Sequence, residues 1–324
     1  MKLIVQIPCL NEAETLPATV RDIPRQIAGI DVVELLIIDD GCTDRTVEVA
    51  RELGVEHIVR FAGHRGLAAA FAAGLDAALR LGADIIVNTD GDNQYAGADI
   101  PRLIAPILAG QADIVIGDRQ TDSISHFSPL KKSLQKLGSW VVRRASHTTI
   151  PDATSGFRAY SREAALRVNV VSDFSYTLET IIQAGQQRLA VTHVPVRTNP
   201  QLRPSRLISR LSHYLYRSSE TIIRIYAMYE PLRIFVTTGL ILFLAGLALA
   251  LRYVYFMFEG AGRAFGHVQS VVMAGVLLTA GIQIILIGIL ADLIAINRRL
   301  LENVLLRVKR LEMGAAEEER RSDE

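Results

Sequence analysis

Hydrophobic and polar positions change their period along this chain, and the changes divide it. From Lys2 to Asp118, short apolar runs recur: Lys2–Pro8, Val33–Asp40, His57–Arg60, Ile85–Thr89 and Ile114–Asp118. They are rich in Ile, Val and Leu and mostly lack a polar alternate, the signature of strands covered on both faces. Between them the spacing is helical. One helix is predicted over Asn11–Ile27, with Asn11 or Thr15 as cap and Pro17 in the first turn. A second, capped by Thr43 or Asp44, runs to Leu53; Leu67–Leu81 and Ile100–Leu108 follow. Strands alternating with helices predict parallel pairing through right-handed crossovers, hence an α/β domain. Beyond it, 127–147 is helical and basic, with Lys131, Lys132, Lys136, Arg143 and Arg144. Pro151–Arg162 reads as a polar loop entering a short strand, Tyr176–Ala184 as a helix carrying Glu179, and Ala190–Val196 as an edge strand.

The pattern then turns to that of a membrane protein. Arg203, Arg210, Arg217 and Arg224 recur every seven residues and share one face of a helix, an amphipathic element suited to an anionic bilayer surface. Ile234–Leu251 and Val268–Ala291 carry no charge. A crossing needs roughly 20 apolar residues, which the second run supplies and the first reaches with Tyr253–Phe258. Arginines precede the first run, and Arg298, Arg299, Arg307, Lys309 and Arg310 follow the second. The positive-inside rule puts both ends in the cytoplasm and the linker Glu259–His267 outside. The tail Gly314–Glu324 is polar and charged, which predicts disorder. The expected organisation is an α/β domain over 1–206, a juxtamembrane helix over 207–230, two membrane helices within 231–297 (about 231–258 and 268–296), and a basic helix with a disordered tail over 298–324. The opening MKLIVQIP is broken by Pro8 and too short for a signal peptide. The chain is thus expected in the plasma (inner) membrane, multi-pass, with the α/β domain and both termini cytoplasmic.

Composition alters this picture little. A formal net charge of +1 over 324 residues gives no global argument for nucleic acid. Two cysteines, Cys9 and Cys42, make no disulfide framework and read as small packed thiols.

The candidate chemistry follows from where polar loops fall. In a parallel sheet, ligands sit beyond the carboxyl ends of the strands. Pro8–Glu12, Asp39–Asp44, Asp90–Gln94 and Gly117–Arg119 all fall at such ends. The segment Asn88–Tyr95, NTDGDNQY, is the most specific. If extended, Asp90, Asp92 and Gln94 would point to one side and offer three oxygens to a hard divalent cation, Mg²⁺ or Mn²⁺, which suits a diphosphate. Taken alone, a DxD triplet also occurs as a solvated acidic turn. No GxGxxG follows the first strand and no GxxxxGK[ST] is present, so dinucleotide and P-loop readings lose their support.

Together PCLNEAETL, IIDDGCTDRT, HRGLAAAFAAGL, NTDGDNQY, DIVIGDR and DATSGFRAYSR resemble the family-2 inverting glycosyltransferases of GT-A fold, most of all the polyprenyl-phosphate glycosyltransferase group that includes dolichol-phosphate mannose synthase and GtrB-like enzymes. The motifs cover about residues 1–210, and the paired membrane helices match by architecture. The resemblance implies a Rossmann-like, mostly parallel sheet and transfer of a hexose from a UDP- or GDP-sugar to polyprenyl phosphate. It implies nucleotide-sugar contacts at Pro8, Asn11, Glu12, Asp39, Asp40, Arg65 and Asp90, and a metal at Asp90, Asp92 and Gln94. Asp92, Asp152 and Arg119 are the implied catalytic positions, and Lys131, Lys132, Arg203, Ser205 and Arg206 the implied acceptor and diphosphate contacts. A homo-oligomer is an expectation from the same group. Cys42 stands where Ser is usual, and His64 where Asn is usual. A processive synthase would carry a QxxRW box, but the single tryptophan, Trp140, lies in GSWVVRR. A nucleotidylyltransferase would want a Gly-rich N-terminal loop. The remaining rivals are transfer to another lipid or glycan acceptor, and a non-catalytic membrane scaffold that binds nucleotide sugar.

Overall fold

The apolar runs become the centre of a seven-stranded sheet. A computed structural model describes residues 1–120, 146, 148, 150–171, 176–200, 231–259 and 268–323. The strands are β1 (Lys2–Cys9), β2 (Val32–Asp39), β3 (His57–Arg60), β4 (Ile85–Asn88), β5 (Ile114–Asp118), β6 (Arg158–Ser161) and β7 (Val191–Pro195), in the order β3-β2-β1-β4-β6-β5-β7. β1 pairs in parallel with β2 and β4, and β2 with β3. Leu3, Ile4, Val5 and Ile7 are fully buried, so both faces of β1 are covered, as the unbroken apolar run requires. At about 1.5–3 kcal/mol per buried aliphatic side chain, such strands set the register.

The first two helices are shorter than their periodicity suggested. α1 is Leu16–Asp22, with Thr15 at the N-cap and Pro17 in the first turn. Asn11 does not cap it: its backbone is left-handed (φ 56°) and its side chain is committed elsewhere. Ile23 precedes Pro24 and is extended, which ends the helix. α2 is Thr46–Glu52, starting after Asp44, whose carboxylate accepts the Thr46 N–H. α3 (Leu67–Arg80) and α4 (Ile100–Leu108) fall where the spacing put them. α5 (Arg162–Arg167) is capped by the Ser161 hydroxyl, and α6 is Tyr176–Gln186.

One strand departs from the parallel expectation. β6 runs antiparallel to both β4 and β5, while β5 and β7 are parallel. Its start, not its end, therefore lies at the edge where β1, β2, β4 and β5 finish. The loop ahead of it, Asp152–Phe157, is delivered to that edge.

The chain forms two compact units, Met1–Ile222 with Leu305–Glu324, and Ile223–Val304. The second holds α7 (Pro231–Glu259) and most of α8 (Val268–Asp323), both apolar and long enough to cross a membrane. Glycines let them approach closely. A Cβ on Gly239 would lie 2.7 Å from the Gly281 carbonyl, and one on Gly288 would lie 2.6 Å from Phe235 Cβ. The disordered tail expected over Gly314–Glu324 is not found: α8 continues to Asp323. Its far end is held in the first unit by Arg310 on Glu163 at 2.7 and 2.8 Å, by Lys309 on Asn169, and by buried Met313.

Candidate active site

Loops converge at the carboxyl edge and lock onto each other. The first follows β1. Asn11 Oδ1 accepts the main-chain N–H of Thr43 at 2.8 Å and of Asp44 at 3.3 Å, and the Glu12 N–H donates to Thr46 Oγ1. The loops after β1 and β2 are thereby stitched together. Asp39 is fully buried; its carboxylate accepts from the Cys42 N–H at 2.7 Å and from Arg60 Nε at 2.9 Å. Asp40 turns to the next loop, accepting from the N–H groups of Arg65 and Gly66 and meeting His64 Nδ1 at 2.9 Å. Its observed role is thus to anchor 63–66 ahead of α3. The Arg65 guanidinium lies over the Phe61 ring, 4.9 Å from its centre. Gly41 makes the crossing of these loops possible. It has φ 76°, and a Cβ there would lie 2.6 Å from the Gly63 carbonyl carbon. Burial raises the pKa of both thiols, Cys42 to about 11, so neither is a thiolate near neutrality.

The Asp90–Gln94 segment is a turn and not an extended strand. β4 ends at Asn88, Gly91 and Asp92 turn, and Asn93 is left-handed at φ 56°. Alternation of side chains is therefore not what brings the oxygens together. Asp92 folds back to accept the Gln94 N–H at 3.1 Å, and the Gln94 carbonyl accepts from the Asn199 N–H. Gly91 packs against Cys9 and Glu12, and its carbonyl meets the hydroxyls of Thr15 and Thr19. Asp90 stands in a demanding position. Gly156 covers its carboxyl so closely that a Cβ would approach Oδ2 to 3.1 Å. Desolvation, with the charges of Asp92 and Glu12 added, outweighs the pull of Arg119 and Arg158 and raises the Asp90 pKa to about 7. Clustered carboxylates short of positive charge are a fitting environment for a divalent cation. Among the described residues no group of three His, Cys, Asp or Glu side chains could hold a metal. Two carboxylates plus substrate phosphates suffice for Mg²⁺.

Facing this turn is a fork. Arg119, just past β5, donates from Nε to Asp152 Oδ2 at 2.7 Å, and from one Nη to Asp152 Oδ1 at 3.0 Å and Thr154 Oγ1 at 2.8 Å. Asp152 is 2% exposed. Burial alone would raise its pKa, but the guanidinium and the Thr154 hydroxyl outweigh burial and hold it below the usual carboxylate value. The structure thus brings Asp90, Asp92, Glu12, Arg119 and Asp152 to one edge, and Pro8 lies inside the end of the β1 ladder, paired with Ile38. Lys131, Lys132, Arg203, Ser205 and Arg206, with the basic 127–145 stretch and the helix expected over 207–230, lie outside the described residues.

Beneath the site runs a buried polar layer that the motifs did not reveal. Gln6 Nε2 donates to Asn88 Oδ1 at 2.9 Å, and Asn88 Nδ2 donates to the Gly156 carbonyl and to the Tyr176 hydroxyl oxygen. Arg158, fully buried, donates to the carbonyls of Ala153, Ser155 and Thr177 and to the Thr180 hydroxyl. The Gly156 N–H donates to Tyr95 Oη, and Tyr176 stacks on Phe71 at 3.8 Å. This layer fixes the 152–157 loop against the Asp90 turn. The signal available in sequence was Gln6, a polar residue inside an otherwise apolar strand.

Comparison with known proteins agrees with this geometry. Residues 4–168 match the model of glycosyl transferase family 2, and residues 230–296 match that of the GtrB C-terminal hairpin. Glycosyltransferase AglJ of Haloferax volcanii is 29% identical over 89% of this chain and 91% of its own length. The polyprenol monophosphomannose synthase of Mycolicibacterium smegmatis is 29% identical over 60% of this chain and 76% of its own. Among solved structures, glucosyl-3-phosphoglycerate synthase from Mycobacterium tuberculosis, in complex with Mn²⁺, UDP-glucose and phosphoglyceric acid, shares the fold with a TM-score of 0.54. It is 21% identical and covers 70% of this chain and 78% of its own. Two apolar helices and the hairpin match mark the chain as membrane-associated. With just over half its length matched by the family model, the chain belongs to glycosyl transferase family 2 and is a glycosyltransferase of GT-A-like fold.

Proposed function

We propose that this enzyme moves a hexose from a UDP- or GDP-sugar to a membrane polyprenyl phosphate, inverting the anomeric carbon. The bond from that carbon to the diphosphate oxygen breaks, one to the acceptor phosphate oxygen forms, and nucleoside diphosphate leaves. The observation that carries this reading is the pairing of the Asp90–Asp92 turn with the Arg119–Asp152 fork at one sheet edge, in a chain that also holds an apolar hairpin. The name of the Mycolicibacterium relative supports the lipid acceptor.

The chain's own groups answer an electrostatic difficulty. The acceptor phosphate, with a second pKa of about 6, is mostly dianionic near neutrality and needs no strong base. Bringing it to a diphosphate sets like charges together, on the order of 4 kcal/mol per unit pair at ~4 Å and an effective dielectric near 20. Arg119, oriented by Asp152 and Thr154, holds its cation beside that encounter. Lys131, Lys132, Arg203, Ser205 and Arg206 add the acceptor side. Asn11, Glu12, Asp39, Asp40 and Arg65 shape the donor side. Asp90, Asp92 and Gln94 would hold Mg²⁺ or Mn²⁺, which when bound offsets the diphosphate charge. α7 and α8 cross the plasma membrane with the catalytic unit and both termini cytoplasmic, and copies of the chain associate there. The lipid tail makes this necessary, since leaving the bilayer costs about 0.8 kcal/mol per CH₂.

The test is a donor screen on purified enzyme in detergent with polyprenyl phosphate and Mn²⁺. The expected result is nucleoside diphosphate release that depends on the lipid, with polyprenyl-phosphate hexose in the mass spectrum. Release without a glycosylated lipid, for every donor, would overturn the acceptor assignment.

A further inference from the structure

The carboxylates at the sheet edge are not held alike. Asp39 accepts from Cys42 and Arg60, Asp40 from Arg65 and Gly66, and Asp152 from Arg119 and Thr154. Asp92 accepts from the Gln94 N–H. Among the described residues, none donates a hydrogen bond to the Asp90 carboxyl. Yet a hydroxyl stands close by, that of Tyr176, and the groups behind it dictate where its hydrogen points. The direction follows from the one partner that cannot donate. The Gly156 carbonyl only accepts, so the Asn88 side-chain atom 2.9 Å from it is the nitrogen. The same nitrogen lies 2.8 Å from Tyr176 Oη, so that oxygen accepts and its own hydrogen is turned away from Asn88. Asn88 Oδ1 in turn accepts from Gln6 Nε2, which keeps the carboxamide from flipping.

Two acceptors flank the phenol hydrogen. The Gly156 carbonyl is 3.4 Å from Tyr176 Oη and already accepts from Asn88. The other is Asp90. Gly156 has no side chain, and the point where a Cβ would stand is 3.1 Å from Tyr176 Oη and 3.1 and 3.2 Å from the two Asp90 oxygens. Phenol and carboxyl thus face each other across one bare Cα. The ring is fully buried and stacked on Phe71 at 3.8 Å, so the hydroxyl is fixed in place. We propose that Tyr176 is a positioning residue for Asp90: Asn88 turns its hydroxyl hydrogen to the carboxyl side, where it holds the Asp90 oxygens in the orientation that a divalent cation meets. A hydrogen bond to a carboxylate is about twice as strong as one to a neutral acceptor, so Asp90 competes well against the Gly156 carbonyl. Carboxylates that ligate metals are themselves hydrogen-bonded, and losing such a partner costs about 10- to 100-fold in metal affinity. Gln6 and Asn88, polar residues on neighbouring apolar strands, then serve to carry an orientation from inside the sheet to its edge. The inference rests on the metal reading proposed above and on nothing about the sugar or the lipid.

Mn²⁺ binding to the purified full chain in detergent, with UDP and with GDP, tests this through the electron paramagnetic resonance of free Mn²⁺. Tyr176→Phe keeps the ring and its stack and removes only the hydroxyl; it should weaken Mn²⁺ binding at least about tenfold. Tyr95→Phe is the comparison. Its hydroxyl belongs to the same buried layer but accepts the Gly156 N–H, so its loss leaves a buried donor unpartnered. Tyr95→Phe should therefore lower the melting temperature more than Tyr176→Phe does, while Mn²⁺ affinity changes less than about threefold. A purely structural role for both hydroxyls cannot produce that crossed order. Placing 3-fluorotyrosine at position 176, which retains the O–H, should return Mn²⁺ affinity to within about threefold of the parent. Parent-like Mn²⁺ affinity in Tyr176→Phe, losses that simply follow the melting temperatures of the two variants, or no recovery with 3-fluorotyrosine would overturn the proposal and leave the metal assignment standing. A parent protein that binds no Mn²⁺ with either nucleotide would overturn both.

Discussion

At the scale of single residues, the site is governed by how charge is compensated. Asp92 is half-buried and repels Asp90, so Asp92→Ala should leave apo stability unchanged or slightly raised while turnover falls at least about 10²-fold. Near-parent turnover, measured as nucleoside diphosphate release, would remove the metal assignment. Asp90 gives a pH signature. Its folded pKa of about 7 lies above the ordinary carboxylate value of 3.8, so the folded apo protein holds a proton that the unfolded chain has released. Stability from this group is full below pH 3.8 and is lost as pH rises through about 7. The melting temperature of apo protein should therefore fall between pH 5 and 8 relative to Asp90→Asn, and saturating Mn²⁺ should flatten the difference. Arg119 behaves oppositely, as half of a buried pair. Arg119→Met strands Asp152 and should cost about 3 kcal/mol in denaturant unfolding, with activity lost as well. Asp40 shows what motif reading omits: a carboxylate at the sheet edge can also be spent on holding a neighbouring loop, here 63–66.

At the scale of elements, placement was legible and direction was not. The apolar runs marked the core strands to within about a residue, because burial on both faces demands continuous Ile, Val and Leu. The helices α1 and α2 start late because Asn11 and Asp44 spend their side chains stitching the two loops together, and α1 stops early at Ile23 before Pro24. The reversal of β6 left no trace in its four residues, since RAYS is compatible with either direction. The Asp90–Gln94 turn was likewise hidden, its left-handed Asn93 being visible only in the backbone. The fork between Arg119 and Asp152 joins residues 33 apart in sequence. The loop crossing offers a direct check. Gly41→Ala places a methyl against the Gly63 main chain at a left-handed φ, and a loss of at least about 2 kcal/mol is expected, with weaker donor binding by calorimetry.

For the whole molecule, the charge-free runs and the basic residues flanking them predict an orientation that labelling can read. A membrane-impermeant maleimide applied to intact cells should modify Gly262→Cys in the linker but not Ala316→Cys near the chain's end; the reverse pattern would invert the proposed topology. The end of α8 is hidden in composition: its last turns look like a solvated tail, yet the helix, held at Arg310 and Met313, continues to Asp323. The reversed strand also bears on how such enzymes diversify. β5 leaves and β6 returns as hydrogen-bonded neighbours, and Arg119 and Asp152 button the gap between them. Whatever is threaded between those two buttons begins and finishes at adjoining points, so it can be lengthened, shortened or exchanged for a cousin's version without disturbing a single rung of the sheet. Evolution, or a protein engineer, thus has a cassette slot at the rim of the site.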